Sequence, residues 1–278
     1  MNHLNLSFAA CGFLGIYHLG AASALLKHGQ KMLNTVSIFA GASAGSLVAA
    51  VLLTAPHKIK ESKDFIYQFS EDVRKQTFGA LTPRYDFLKY LREGIETILP
   101  ANAHDAAQNR LYISVTNTKS WENSLVSNFA SREELVKVLL ASCFVPVYAG
   151  SNAVEYKGEK WFDGGFSNSL PIMPTGRTVT ISPFSGLQDI CPKDKKHADM
   201  YVKVANQDML YKKSWKIQYF KDVTRTRVER IIVWQTFSGD SSVRGTEGKD
   251  ISSKFPKNQP CVVSTKPRQN GVCFSRWI

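Results

Sequence analysis

Two short stretches hold residues whose types and spacing could do chemistry. In "FAGASAGSLVAAV", Ser43 lies between Gly41 and Gly45 with alanines in between, after the strand-like "TVSIFA" and before the helix-favouring "SLVAAVLLTA". This is G-x-S-x-G at a strand-to-helix turn. Small neighbours let strand and helix approach closely while the hydroxyl is presented at the bend. The competing reading is a helix cap, by Ser43 or by Ser46. A nucleophilic serine needs a base, most often histidine. His18 and His28 belong to the first predicted helix, and His104 and His197 sit in no Gly-rich turn or other catalytic setting. The second stretch, "WFDGG", places Asp163 at a predicted strand end before Gly164 and Gly165, which permit a sharp turn. An ordinary Asp-Gly turn would look the same. Beside a serine without a histidine, however, Asp163 is the candidate base, and partial desolvation would raise its basicity.

Attack by a serine on an ester needs donors for the oxyanion that develops. The turn "ACGFLG" (10–15) follows a predicted strand and opens a helix, where backbone amides favour negative charge. A phosphate loop is the rival, but the Gly-Lys-Ser/Thr ending is missing. A dinucleotide loop would have to begin at Ala10, and no acidic residue closes the second strand, where Phe39 and Gly41 stand. The five cysteines are scattered with no CxxC pair, so neither a metal nor a cofactor is expected.

The elements that must position these residues follow from periodicity. Residues 3–10 alternate as a strand and 16–29 have helical spacing ending at Gly29. The strand at 35–40 and the helix at 46–55 repeat the unit, so a parallel sheet flanked by helices is expected. Further helices are expected at 57–79 and 85–99, strands at 110–118 and 124–129, and a helix running to Ser142 from the capping box "SREE" (131–134). A hairpin turning at Lys157-Gly158 leads to Asp163, and a strand spans 178–183.

With 278 residues, 44% of them hydrophobic, the chain can bury one sizeable core. Its net charge of +12 is uneven: residues 1–192 hold 17 Lys+Arg against 15 Asp+Glu, and residues 193–278 hold 18 against 8. The expected organisation is a catalytic domain at 1–185 and a basic, partly disordered extension at 186–278. A basic tail suits an anionic partner or simply solvent; no nucleic-acid module is recognisable, so nucleic acid is not expected. The start has no secretory pattern, and the apolar run around Leu47–Ala55 is short of the ~20 residues that span a bilayer. A cytoplasmic protein, peripheral on lipid, is expected.

In order along the chain, these motifs resemble the patatin-like phospholipase family. "SFAACGFLGIYHLGAASAL", "FAGASAGSLVAAV", "LLASCFVPVYAG" and "WFDGGFSNSLPI" are similar to its adiponutrin-type animal branch, most of all to that branch's short member. The resemblance runs over about residues 1–210; from about Tyr211 the chain diverges. It implies a three-layer α/β/α fold with a central mixed sheet, a Ser43–Asp163 dyad, and an oxyanion hole from the amides of Gly12, Phe13, Leu14 and Gly15. It implies lipid ester substrates (triacylglycerol, retinyl ester or phospholipid), hydrolysis or acyl transfer, a lipid droplet or membrane surface, and a protein co-activator. Phe13, Phe144 and Val147 are expected to line the pocket. Ala10 and Leu14 depart from the family's usual glycine and basic residue. The alternative is a non-catalytic lipid-surface protein acting through its basic tail.

Overall fold

Helices and strands alternate from the first residues of the chain, and their order decides where polar side chains can gather. The computed structural model describes residues 3–192 and 201–210. Its strands are β1 (Leu4–Phe8), β2 (Val36–Ala42), β3 (Leu111–Asn117), β4 (Asn123–Val126), β5 (Val154–Tyr156), β6 (Glu159–Asp163), β7 (Arg177–Ile181), β8 (Tyr201–Val204) and β9 (Gln207–Leu210). Its helices are α1 (Gly15–His28), α2 (Gln30–Leu33), α3 (Ala44–Thr54), α4 (Ile59–Lys75), α5 (Phe87–Ile98), α6 (Ala103–Ala107) and α7 (Arg132–Ser142). The short α2 and α6 and the β8–β9 hairpin lie where the sequence pattern predicts no element.

The sheet has a parallel block in the order β7-β1-β2-β3, with β4, β6 and β5 joined antiparallel. This is the α/β class with a mixed central sheet expected above. From β1 the chain runs one way to β2 and β3 and returns on the other side as β7. The carboxyl end of β1 is therefore a topological switch point, where open α/β sheets leave a crevice. Helix α3 packs on β1, β2 and β3, and α7 on β3, β5 and β6; α4 and α5 lie outside them, against α1 and α7 respectively. Leu6, Phe8, Leu111, Ile113 and Leu139 are fully buried between sheet and helices, each stabilising the fold by ~1.5–3 kcal/mol.

Local chemistry sets the helix ends. The Glu134 amide donates to Ser131 Oγ at 3.1 Å, the first half of the capping box. The Glu134 carboxylate accepts from the Ala130 amide, one residue earlier than the motif predicts. Arg132, in the first turn of α7, donates to the carbonyls of Glu96, Leu99 and Pro100 at 2.6, 2.9 and 3.2 Å. It thus satisfies the open carbonyl end of α5 and locks α5 to α7. Where α4 and α5 cross, Gly94 leaves room for the Phe65 ring, which a Cβ there would meet at 2.1 Å.

Residue 185 is not a packing boundary. The Ser169 amide donates to the Ala205 carbonyl at 2.7 Å. Gln207, 2% exposed, accepts from Ser169 Oγ at 2.9 Å and donates to Ser182 Oγ at 2.6 Å. Met209 bridges to Gly186 and is buried. The folded body therefore extends through 201–210, because a buried glutamine needs partners that only the earlier chain supplies. The expected basic, partly disordered tail falls at 193–200 and 211–278, outside the described residues.

Candidate active site

The register of β3 brings the two candidate residues together. Ile113–Thr116 pair with β4 along one edge of β3. Strand β2 pairs with Leu111–Ser114 and β6 with Val115–Asn117, both overlapping that register. A strand has two edges, so β2 and β6 share the remaining one and run head-on toward each other. Ala42 ends opposite Ser114 and Asp163 opposite Val115. Ser43, the next residue after Ala42, therefore meets Asp163 in the gap. Gly164 passes so close to β3 that a Cβ on it would sit 2.1 Å from the Ser114 carbonyl oxygen.

Ser43 stands at φ 53°, ψ −133°, a conformation that strains any residue with a Cβ. Tight packing holds it there. A Cβ on Gly41 would lie 2.5 Å from the Gly45 carbonyl carbon, and one on Gly45 would lie 2.3 Å from the Phe8 carbonyl oxygen. Ser43 occupies the N-cap position of α3 but makes no side-chain cap bond. Ser46 Oγ instead donates to the Ser43 carbonyl at 2.7 Å. The Ser43 side chain faces the Asp163 carboxyl and favours its ionised form, so it serves no cap.

Asp163 is 4% exposed. Burial pushes its carboxyl from 3.8 up to about 7, against the opposing influence of Ser43 and the hydrogen bond from the Gly165 amide. The Gly165 N–H reaches Asp163 Oδ1 at 2.7 Å and fixes the carboxylate's rotamer. Cys11 and Cys143 flank the pair. Burial, and then the charge of Asp163, push both thiols well above their ordinary value. Both stay protonated at neutral pH and neither competes as a nucleophile.

The turn after β1 is the second half of the site. Gly12 is at φ 55°, the left-handed region that favours glycine. The Leu14 amide donates to the Cys11 carbonyl at 3.1 Å, and the Gly15 amide to the carbonyls of Gly12 and Phe13. Of the four amides expected as oxyanion donors, Leu14 and Gly15 are thus engaged in the turn itself. Those of Gly12 and Phe13 have no partner among the described residues. The Phe13 ring is held edge-on by Phe69 at 5.3 Å and by Phe87 at 6.4 Å. His18, fully buried, donates from Nε2 to the Ala9 carbonyl at 2.8 Å, and burial lowers it to about 4. It buttresses the end of β1 as a neutral ring, and no histidine lines the cavity among the described residues.

A cavity of about 650 Å³ opens at the Ser43–Asp163 pair, within the range of small-molecule sites. It runs between α3 and α7 on one side and the α4–α5 pair on the other, past Leu47, Val51, Phe69, Leu91 and Ile98. Its interior is nearly all hydrocarbon and aromatic. Phe13 and Val147 line it as expected. Phe144 does not: it is 1% exposed and packs with Ala149 and Phe162 in a separate small core cluster.

One residue in the site carries no sequence signal. Ser142, fully buried at the end of α7, accepts the Ser43 amide at 2.9 Å and donates to the Ser114 carbonyl at 2.7 Å. It ties the bend to the point on β3 where β2 and β6 meet. In sequence it is an ordinary small helix-end residue. Ser142→Ala leaves a buried amide and a buried carbonyl unpaired, at a cost of ~1–3 kcal/mol, and loosens the bend. Activity on a soluble ester is expected to show kcat reduced ~10–100-fold with KM nearly unchanged. An unaltered kcat, or an effect confined to KM, would show that the clamp does not position Ser43.

Comparison with known proteins accords with this architecture. A family model described as "Patatin-like phospholipase" matches residues 6–175. Human "Patatin-like phospholipase domain-containing protein 4" is 66% identical over 210 residues, 76% of this chain and 83% of that protein. Mouse "Patatin-like phospholipase domain-containing protein 2" is 38% identical over 207 residues, 74% of this chain but 42% of that protein. Mouse "Omega-hydroxyceramide transacylase" is 37% identical over 190 residues, 68% of this chain and 32% of that protein. This chain thus spans less than half the length of the latter two. It belongs to the patatin-like phospholipase family, a family of enzymes of lipid ester hydrolysis and acyl transfer. Among the described residues, no helix is long and apolar enough to cross a membrane.

Proposed function

We propose that this protein is a serine lipid acyl hydrolase in which Ser43 is the nucleophile and Asp163 the general base. The observation that carries the reading is the buried Asp163 carboxylate brought by strand register against a serine on a strained bend, at the inner end of an apolar cavity. Ser43 Oγ attacks the ester carbonyl carbon as Asp163 takes its proton. The resulting oxyanion is met by the amides of Gly12 and Phe13, each such donor being worth roughly 2.7–4 kcal/mol. Collapse breaks the bond to the alcohol oxygen, which leaves with the proton from Asp163 and gives an acyl-enzyme. Water, or an acceptor alcohol, then attacks the acyl carbon while Asp163 takes its proton. The tetrahedral intermediate expels Ser43 Oγ, which recovers that proton, and a fatty acid or a new ester is released.

Triacylglycerol, retinyl esters and phospholipids are the proposed substrates, each with a long chain suited to the hydrocarbon-lined cavity. The transacylase name of one relative supports acyl transfer as a second outcome of the same acyl-enzyme. The protein acts peripherally on lipid droplets or membranes, with a protein co-activator as a further partner.

A panel of purified protein against triolein, retinyl palmitate, phosphatidylcholine and a short p-nitrophenyl ester tests the reading, together with a fluorophosphonate probe. The expected result is turnover of at least one long-chain ester and a single probe adduct mapping to Ser43. A protein that turns over none of the panel, or that is labelled elsewhere, would sink it.

A further inference from the structure

The mouth of the cavity is ringed by apolar side chains that face solvent. Leu81, Val147, Phe166 and Val204 line it and are 52, 77, 51 and 40% exposed. They come from four separate segments: the turn before α5, the loop after α7, the turn after β6 and the β8–β9 hairpin. The apolar surface continues outward on two sides. Phe78, 68% exposed, sits on the same turn as Leu81, whose amide donates to its carbonyl at 3.2 Å. Trp121, 64% exposed, stands edge-on to Phe162 at 5.1 Å, and Phe162 in turn to Phe166 at 5.2 Å.

The most exposed of these positions is also strained. Val147 is at φ 72°, a conformation β-branched residues rarely adopt. Such strain persists where surrounding structure enforces it, and it clusters at functional positions. Between Val73 and Tyr85 the only charges are positive: Arg74, Lys75, which pairs with Asp72 at 3.5 Å, and Arg84 bracket the Phe78–Leu81 turn. Exposed apolar groups beside cations are the composition of a surface that enters a lipid interface and meets anionic headgroups.

We propose that this rim is the face by which the protein docks on a lipid monolayer or bilayer carrying anionic headgroups. The Phe78–Leu81 turn, Val147 and Phe166 enter the acyl boundary, and Arg74, Lys75 and Arg84 lie among the headgroups. Docked in this way, the mouth opens directly into lipid, so a water-insoluble ester reaches Ser43 without crossing solvent. Continuity of the rim with the cavity selects lipid over a protein partner as the occupant. The inference rests on the hydrolase reading.

The test uses the full chain and changes side chains outside the cavity. Phe78→Ser with Trp121→Ser removes outer apolar contacts; Arg74→Glu with Arg84→Glu reverses the flanking charge. Flotation is measured with phosphatidylcholine vesicles with and without phosphatidylserine, and hydrolysis with a vesicle-borne ester and with a soluble p-nitrophenyl ester. Wild type is expected to float, more strongly with phosphatidylserine. Both double variants are expected to lose at least about tenfold in bound fraction and in vesicle-borne turnover, with soluble-ester turnover within about twofold of wild type. Flotation equal to wild type overturns the proposal, including where the variants instead lose a protein partner or self-association. A wild type that floats through this rim but turns over no ester would refute the hydrolase reading alone.

Discussion

Ser43→Ala is expected to lower kcat/KM for any ester this protein hydrolyses by at least about 10⁴-fold, on the scale seen when a serine nucleophile is removed. The cavity and the Gly12 and Phe13 amides remain, so a small residual rate above background should persist. Fluorophosphonate labelling should vanish altogether. The variant should stay folded, because the Ser43 hydroxyl caps no helix and the bend is held by the Ser142 clamp and by packing at Gly41 and Gly45. A companion change separates chemistry from strain. Ser43→Gly is equally inactive but relieves a backbone held at φ 53°, strain of this kind costing on the order of 1–3 kcal/mol. Its thermal midpoint should exceed that of Ser43→Ala. Substantial turnover by Ser43→Ala would remove Ser43 from the mechanism; equal midpoints would remove the strain argument.

Asp163→Asn is expected to abolish turnover to a similar degree while raising stability at neutral and alkaline pH. Both effects come from burial, which raises the carboxyl from 3.8 to about 7. The folded state prefers the protonated form and the unfolded chain ionises from 3.8 upward. Stability contributed by the buried acid is therefore full below pH 3.8, declines as pH rises, and is lost above about 7. The loss is on the order of 4 kcal/mol, and asparagine escapes it. Activity has the opposite slope: only ionised Asp163 can take the Ser43 proton, so kcat/KM should rise with pH through about 7 and level off. His18, lowered to about 4, works the other way for stability, contributing above 6.5 and fading as pH falls toward 4. Urea denaturation of wild type and Asp163→Asn at pH 5 and pH 8 isolates the aspartate. Equal midpoints at pH 8, or a rate profile flat across pH 7, would refute a buried, raised base.

Elements governed by local sequence were legible in advance. The two successive strand–turn–helix units, the capping serine at 131 and the Lys157-Gly158 hairpin all depend on neighbours a few residues away. So do the tiny residues about Ser43: strand and helix meet there, and each added Cβ would strike backbone. The departures have two causes, one distant and one local. The β8–β9 hairpin pairs and buries Gln207 only because Ser169 and Ser182, far back in the chain, offer it partners. The Leu14 and Gly15 amides are engaged inside a 3-10 turn, which composition does not reveal.

What the sequence determined by itself is the inventory: a serine on a tight strand-to-helix bend, a carboxylate before two glycines, and a glycine-bearing turn at a helix start. It did so because steric limits on turns act over four or five residues. Only the tertiary structure decided that these meet. Ser43 and Asp163 are brought together because β2 and β6 run head-on along one edge of β3, a consequence of strand register that no local pattern encodes. Burial in that gap, rather than the Asp-Gly motif, is what lifts Asp163 to about 7 and gives it the basicity proposed for it here.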